Sequence, residues 1–314
     1  MIKALRRFVW QRSKIPGLNL FQTITIALFG FFLATVPCNP AIAATPHDVL
    51  VVGQIAEPKS LDPQTVTAVN DFRIVINLYD GLVRYKPGSL QVEPALATSW
   101  TISKDGKRYT FKLRKEVKFH DGTPFNAAAV KFNFDRMLDK KNPYYNTGPF
   151  PLAFFFKAIK ETKVIDDHTV ELILDKPYAP LLSNLAYPTG LIVSPTAVKK
   201  EKKDFGRYPV GTGPFKFAKW ESNRMVVLER NPDYWGGAPK LNAVVFRPIT
   251  DANTRVTELL SGGIDLMVEV PPDNVDMLEK DPRYTVYQQA GPHLWFLILN
   301  MKEGPFKDTG ISIS

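Results

Sequence analysis

Cysteine is almost absent: the 314 residues contain one, Cys38. It falls in the leader segment described below, so the rest of the chain has neither disulfides nor thiolate chemistry. Histidine is scarce as well. His47, His120, His168 and His293 share no metal-ligand spacing, so neither a metal site nor a cofactor is expected. There is no nucleophile elbow of the Gly-x-Ser-x-Gly kind and no His-Glu-x-x-His helix, which speaks against an exported hydrolase. Gly211-Thr212-Gly213 lacks a following Lys-Ser/Thr and precedes a strand pattern, so it is not a phosphate loop.

Long hydrophobic runs are also missing. The apolar stretch from Ile24 to Val36 counts 13 residues, short of the roughly 20 that cross a bilayer as a helix. Before it stand Lys3, Arg6, Arg7, Arg12 and Lys14 with no acid, and after it comes Ala41-Ile42-Ala43. That is the three-part layout of a secretory leader, with cleavage expected after Ala43. The surroundings of Arg6-Arg7 do not suit a twin-arginine signal, and Pro37 before Cys38 does not suit lipid attachment. Without those five basic residues the formal charge falls from +9 to +4. No nucleic-acid partner is expected, because the one basic run, Lys199 to Lys203, is broken by Glu201 and belongs to a solvated helix end.

What is present is a series of α and β patterns. Val49–Ile55 reads as a buried strand, and the loop from Glu57 to Pro63 carries two prolines that forbid regular structure. Phe72, Val75, Ile76 and Tyr79 have helical spacing up to Gly81. Tyr109, Phe111 and Leu113 alternate with polar residues between the turns Asp105-Gly106 and Asp121-Gly122, the two-residue period of a half-buried strand. Asn126 caps a helix to Leu138, and residues 161–174 form a hairpin turning at Asp166–His168. Ser194-Pro195 opens a short helix, and strands follow at 215–220, 225–230 and 243–249. Asp251 caps a helix ending at Gly262-Gly263, with a strand expected over Ile264–Val268. The order is α/β in character, with a mixed sheet covered by helices.

The segment Ala97 to Gly122, running into Phe119-His120-Asp121-Gly122-Thr123-Pro124, resembles the signature of family 5 of the bacterial extracellular solute-binding proteins, with His120 and Asp121 read as turn residues. Further stretches resemble the same family in the same order: Ser60–Pro63, Leu78–Leu82, Glu93–Trp100, Gly211–Phe215, Arg230–Trp235 and Ser261–Asp265. The resemblance implies a periplasmic substrate-binding component of an ABC importer that captures peptides and works, as a monomer, with a permease in the cytoplasmic membrane. Nickel chelate, glutathione or an opine are the alternative solutes, and a non-functional truncated product is a further alternative. The implied fold is an α/β periplasmic binding protein-like class II clamshell. Residues 44–77 and 190–300 would be its discontinuous first lobe, and 78–189 an inserted α+β domain. Residues 301–314 resemble the crossing to a second lobe, which is then missing. On that reading the first-lobe sheet is expected to keep an unpaired edge, and peptide binding by this chain alone is expected to be weaker than micromolar.

Candidate ligand contacts lie where strands end, since α/β sheets place ligands outside the carboxyl ends of their strands. These are Glu57 after the first strand, Glu269, Val270 and Pro271 after the last, and His293, Leu294 and Trp295 in the segment that resembles a cleft-lining strand.

Overall fold

The computed structural model describes residues 48–288 together with Lys302, Glu303 and Lys307. The first strand, β1 (Val49–Gln54), leads through the proline-bearing loop to helix α1 (Val69–Leu78). Asp71, Phe72, Ile74, Val75 and Leu78 make the buried arc of α1. Ile76, which its spacing assigns to the inner face, falls just outside that arc and is 54% exposed.

A short antiparallel pair follows, β2 (Val83–Tyr85) and β3 (Val92–Pro94). Then come β4 (Ala97–Ile102) and β5 (Arg108–Leu113), the hairpin of the signature segment. Gly106 and Gly122 take φ of +67° and +81°, the left-handed conformation that these turns require. Tyr109, Phe111 and Leu113 are buried, as their alternation predicts. Helix α2 (Ala127–Leu138) is capped by Asn126, whose side chain accepts from the Ala129 amide at 3.0 Å. The hairpin β6 (Ile159–Asp166) and β7 (Thr169–Leu174) completes a four-stranded antiparallel sheet in the order β4-β5-β7-β6.

After the short helices α3 (Leu181–Ala186) and α4 (Pro195–Glu201), the latter capped by Ser194, the chain builds a second sheet. Its strands are β8 (Phe215–Glu221), β9 (Met225–Arg230) and β10 (Ala243–Pro248). Helix α5 (Ala252–Leu260), the two-residue strand β11 (Leu266–Met267) and helix α6 (Pro272–Lys280) follow. The five-stranded order is β11-β1-β10-β9-β8; β1 is parallel to both its neighbours and the β10-β9-β8 part is antiparallel.

The strand expected over Ile264–Val268 is shortened because Asp265 replaces a carbonyl in the ladder. Its carboxylate accepts from the Val51 amide at 2.8 Å, while its own amide donates to the Val51 carbonyl at 2.9 Å. Each sheet has its own apolar core. Phe111, Val130, Phe134, Phe156, Val170 and Leu172 are central to one, and Leu61, Ile74, Val75, Phe205, Leu228 and Phe246 to the other.

Candidate ligand-binding site

Since β11, β1 and β10 are mutually parallel neighbours, the loops leaving their carboxyl ends emerge along one edge of the sheet. The loop after β1 carries Glu57, that after β10 carries Ile249 and Thr250, and that after β11 carries Glu269, Val270 and Pro271. The backbone of the loop after β10 is pinned by Arg255, a buried side chain whose guanidinium donates to the carbonyls of Ile249 and Thr250 at 2.6 and 3.0 Å.

Glu57 is already engaged within the protein. One carboxylate oxygen accepts from the Trp220 indole at 2.6 Å and the other from the Asn223 amide at 3.0 Å. Arg207 stacks over the same indole with its guanidinium carbon 3.7 Å from the ring centroid. The Glu57 carboxylate therefore ties the first loop to the β8-β9 turn.

Glu269 is placed differently. It has φ of +58°, a conformation that costs a residue with a Cβ of order 1 kcal/mol or more, and it accepts from Arg73 of α1 at 2.8 Å through Oε1. Arg73 in turn donates to Asn70 at 2.9 Å. Neither Arg73 nor Asn70 stands out in the sequence. The available signal is their position: Val69, Arg73 and Ile76 recur at i, i+4 and i+7 on the outward stripe of α1, where Val69 and Ile76 are exposed. Val270 packs against the small core of Val51, Leu259, Ile264 and Leu278, and Pro271 directly precedes α6. Glu269 and Val270 border a groove of about 860 Å³ that continues along Val275, Leu278, Tyr284 and Val286. His293, Leu294 and Trp295 lie outside the described residues.

The remaining sequence motifs assemble a polar junction between the two cores. Asp80 is buried and accepts from the Thr212 hydroxyl at 2.9 Å, the Tyr234 hydroxyl at 3.0 Å and the Trp235 indole at 2.9 Å. Burial raises its pKa, and those three hydrogen bonds oppose the rise. Asn231 donates to the Gly213 carbonyl at 3.0 Å, and Arg114 lies over the Trp235 ring at 4.3 Å. His120 and Asp121 do serve the turn: Asp121 accepts from the Thr123 amide at 3.0 Å and from Ser194 at 2.6 Å. A second junction pairs Arg136 of α2 with Asp62, both buried, with Gln64 and Thr147 as further acceptors of the guanidinium at 3.2 and 2.8 Å.

Residues 91–311 match the family model for bacterial extracellular solute-binding proteins, family 5, middle region. The chain belongs to family 5 of the bacterial extracellular solute-binding proteins. Among family 5 relatives, it is 34% identical over 297 residues to di/tripeptide-binding protein 2 of Pseudomonas aeruginosa, covering 89% of this chain and 56% of that protein. It is 35% identical over 250 residues to the glutathione-binding protein GsiB of Pectobacterium atrosepticum, covering 79% and 47%. The periplasmic binding protein DppA of Helicobacter pylori, solved in complex with the peptide STSA, superposes with a TM-score of 0.70 at 38% identity, over 74% of this chain and 49% of that one. The α/β architecture is that of the periplasmic binding proteins, and the chain spans about half the length of these relatives.

Proposed function

We propose that this family 5 chain carries the peptide-receiving face of a substrate-binding component of an ABC importer. Its ligand is a short peptide captured outside the cytoplasmic membrane and passed to a permease there. The leader is cleaved after Ala43, and the exported protein is monomeric and performs no catalysis. The division into a first lobe (44–77 and 190–300) and an inserted domain (78–189) is part of the same proposal, supported by the presence of a separate sheet and core on each side of the Asp80 junction.

The observation that carries the reading is the family match together with the likeness to receptors whose names specify di- and tripeptides or a bound peptide. The groove beside Glu269 and Val270 supports a ligand at the carboxyl edge of the sheet. A second reading, glutathione as the ligand, is favoured by the 35% identity to GsiB.

The test is a titration of the purified chain, followed by amide chemical shifts, with di- and tripeptides and separately with glutathione. Saturable shifts of the amides of residues 266–270 by peptides at lower concentration than by glutathione support the first reading. The reverse order selects the second, and no saturable shift with either overturns both.

A further inference from the structure

A second pocket, of about 310 Å³, shares no residue with the groove beside Glu269. It opens where the loop carrying Lys59 and Ser60 meets Thr147 and the 3₁₀ turn Lys202–Arg207. Its wall is cationic. Lys59, Lys203 and Arg207 line it, and the one acid among the lining residues, Asp62, is buried and already paired with Arg136. Neighbouring acids are engaged elsewhere: Glu201 pairs with Lys200, and Glu57 accepts from Trp220 and Asn223. Asp204 stands next to Lys203 in the chain but is not part of the wall. Three like charges around one concavity repel one another, and here they are brought together by specific contacts. The Leu61 amide donates to the Gly206 carbonyl at 2.8 Å, which closes the 3₁₀ turn onto the first loop, and only glycine permits that approach, since a Cβ on residue 206 would overlap Ser60 Oγ. Arg207 lies on the Trp220 indole at 3.7 Å and donates to Ser222 at 2.8 Å through one nitrogen, leaving further N–H groups of its fork for an acceptor. Ser60 Oγ accepts from the Asp62 amide and the Thr65 hydroxyl at 3.1 and 3.2 Å, so its own proton is left to donate.

We propose that this pocket is a binding site for a phosphate group, with Lys59, Lys203 and Arg207 supplying the charge and Ser60 a neutral donor. Two ammonium groups and a guanidinium compensate a phosphate dianion and offer donors to its oxygens from both sides of the pocket, whereas a single carboxylate leaves cations uncompensated. The same group is carried by inorganic phosphate and by the headgroup of an anionic phospholipid, and the pocket offers the same chemistry to both. Because Lys59 and Ser60 stand on one segment and Lys203 and Arg207 on another, a bound phosphate would also brace the 3₁₀ turn against the first loop. The inference does not depend on the peptide reading, since the pocket is separate from the groove that supports it.

The test titrates the full chain with inorganic phosphate at pH 8 and constant ionic strength, with acetate as the control anion, and follows the amide shifts of residues 59–62 and 203–207. The expected result is a saturable shift with phosphate and at least tenfold weaker binding of acetate. Lys59→Gln and Lys203→Gln change exposed side chains outside both cores, and each is expected to weaken phosphate binding about tenfold. Lys240→Gln, at an exposed lysine away from the pocket, is expected to leave it unchanged. Cosedimentation with phosphatidylglycerol vesicles, against phosphatidylcholine vesicles, separates the two sources. Binding to the anionic vesicles that falls in Lys59→Gln and Lys203→Gln assigns the phosphate to a lipid headgroup, and binding of inorganic phosphate without vesicle binding assigns it to a soluble anion. The inference is overturned if neither probe binds, or if acetate binds as well as phosphate. It is equally overturned if the Lys59→Gln, Lys203→Gln double variant, still melting cooperatively, binds both probes as the native chain does.

Discussion

The imidazole of His120 is clamped to the loop that ends at Gly213. Its Nε2 lies 3.0 Å from the Gly213 carbonyl oxygen, and its Nδ1 accepts from the Gly211 amide at 3.3 Å. That pairing fixes the neutral tautomer with its proton on Nε2, because a protonated ring would turn Nδ1 into a second donor facing the Gly211 N–H. Burial, the largest influence, pushes the His120 pKa down to about 4 from 6.5.

A pH dependence follows from that depression. Above pH 6.5 the ring is neutral folded and unfolded, and contributes no slope. Between 6.5 and about 4 the unfolded chain binds a proton that the folded chain refuses, so stability falls as the pH falls across this window. The full depression corresponds to about 3 kcal/mol. Denaturant midpoints measured from pH 7 to pH 4 are expected to drop more steeply for the native protein than for His120→Asn, which starts lower but loses this slope. Parallel curves would disprove the assignment.

Gly213 is required for closeness. A Cβ there would stand 2.5 Å from the Leu78 carbonyl carbon and 2.7 Å from the Asn77 oxygen and the Tyr79 nitrogen, all backbone atoms at the end of α1. Gly213→Ala is therefore expected to cost about 3 kcal/mol or more, at the upper end of overpacking penalties. Gly122→Ala meets no atom within 4 Å and is strained only by its φ of +81°, so about 1 kcal/mol is expected. Chemical denaturation of the two variants measures the difference.

Asp62 and Arg136 form a pair whose halves depend on each other. Asp62→Asn or Arg136→Met alone leaves one buried charge without its counterion and is expected to destabilise by about 3–5 kcal/mol. The double variant is expected to lose clearly less than the sum, because the second change removes the charge that the first left stranded. A double-mutant cycle by urea denaturation gives the coupling, and additive losses would contradict it.

Glu57 is expected to matter without any ligand. Glu57→Ala breaks the contacts to the Trp220 indole and the Asn223 amide, at a cost of about 1–3 kcal/mol. It also changes the polarity at one indole, so tryptophan emission of the ligand-free protein should shift. A variant with unaltered emission and melting would return Glu57 to the role of a free ligand contact.

Much of the local structure is legible in the residue pattern. The alternation of Tyr109, Phe111 and Leu113, the caps Asn126, Ser194 and Asp251, and the turn glycines Gly106, Gly122 and Gly262 all act where they stand, because each depends on its own few neighbours along the chain. The limits of such reading show at Ile76, whose spacing suits either edge of a buried arc, and at Asp265, whose carboxylate takes a ladder position that no strand period anticipates.

The sequence by itself determined the alternating periods, the turns and caps, and the order of motifs that marks family 5, since these are properties of neighbouring residues. Tertiary structure alone decided the roles of the charged groups. It turned Glu57 inward to Trp220, gathered Thr212, Tyr234 and Trp235 around Asp80, and joined Arg73 to Glu269 across 196 residues. The reason is physical: a carboxylate's function is set by which donors reach within about 3 Å of it and how much water remains around it, and both are fixed only when distant segments fold together.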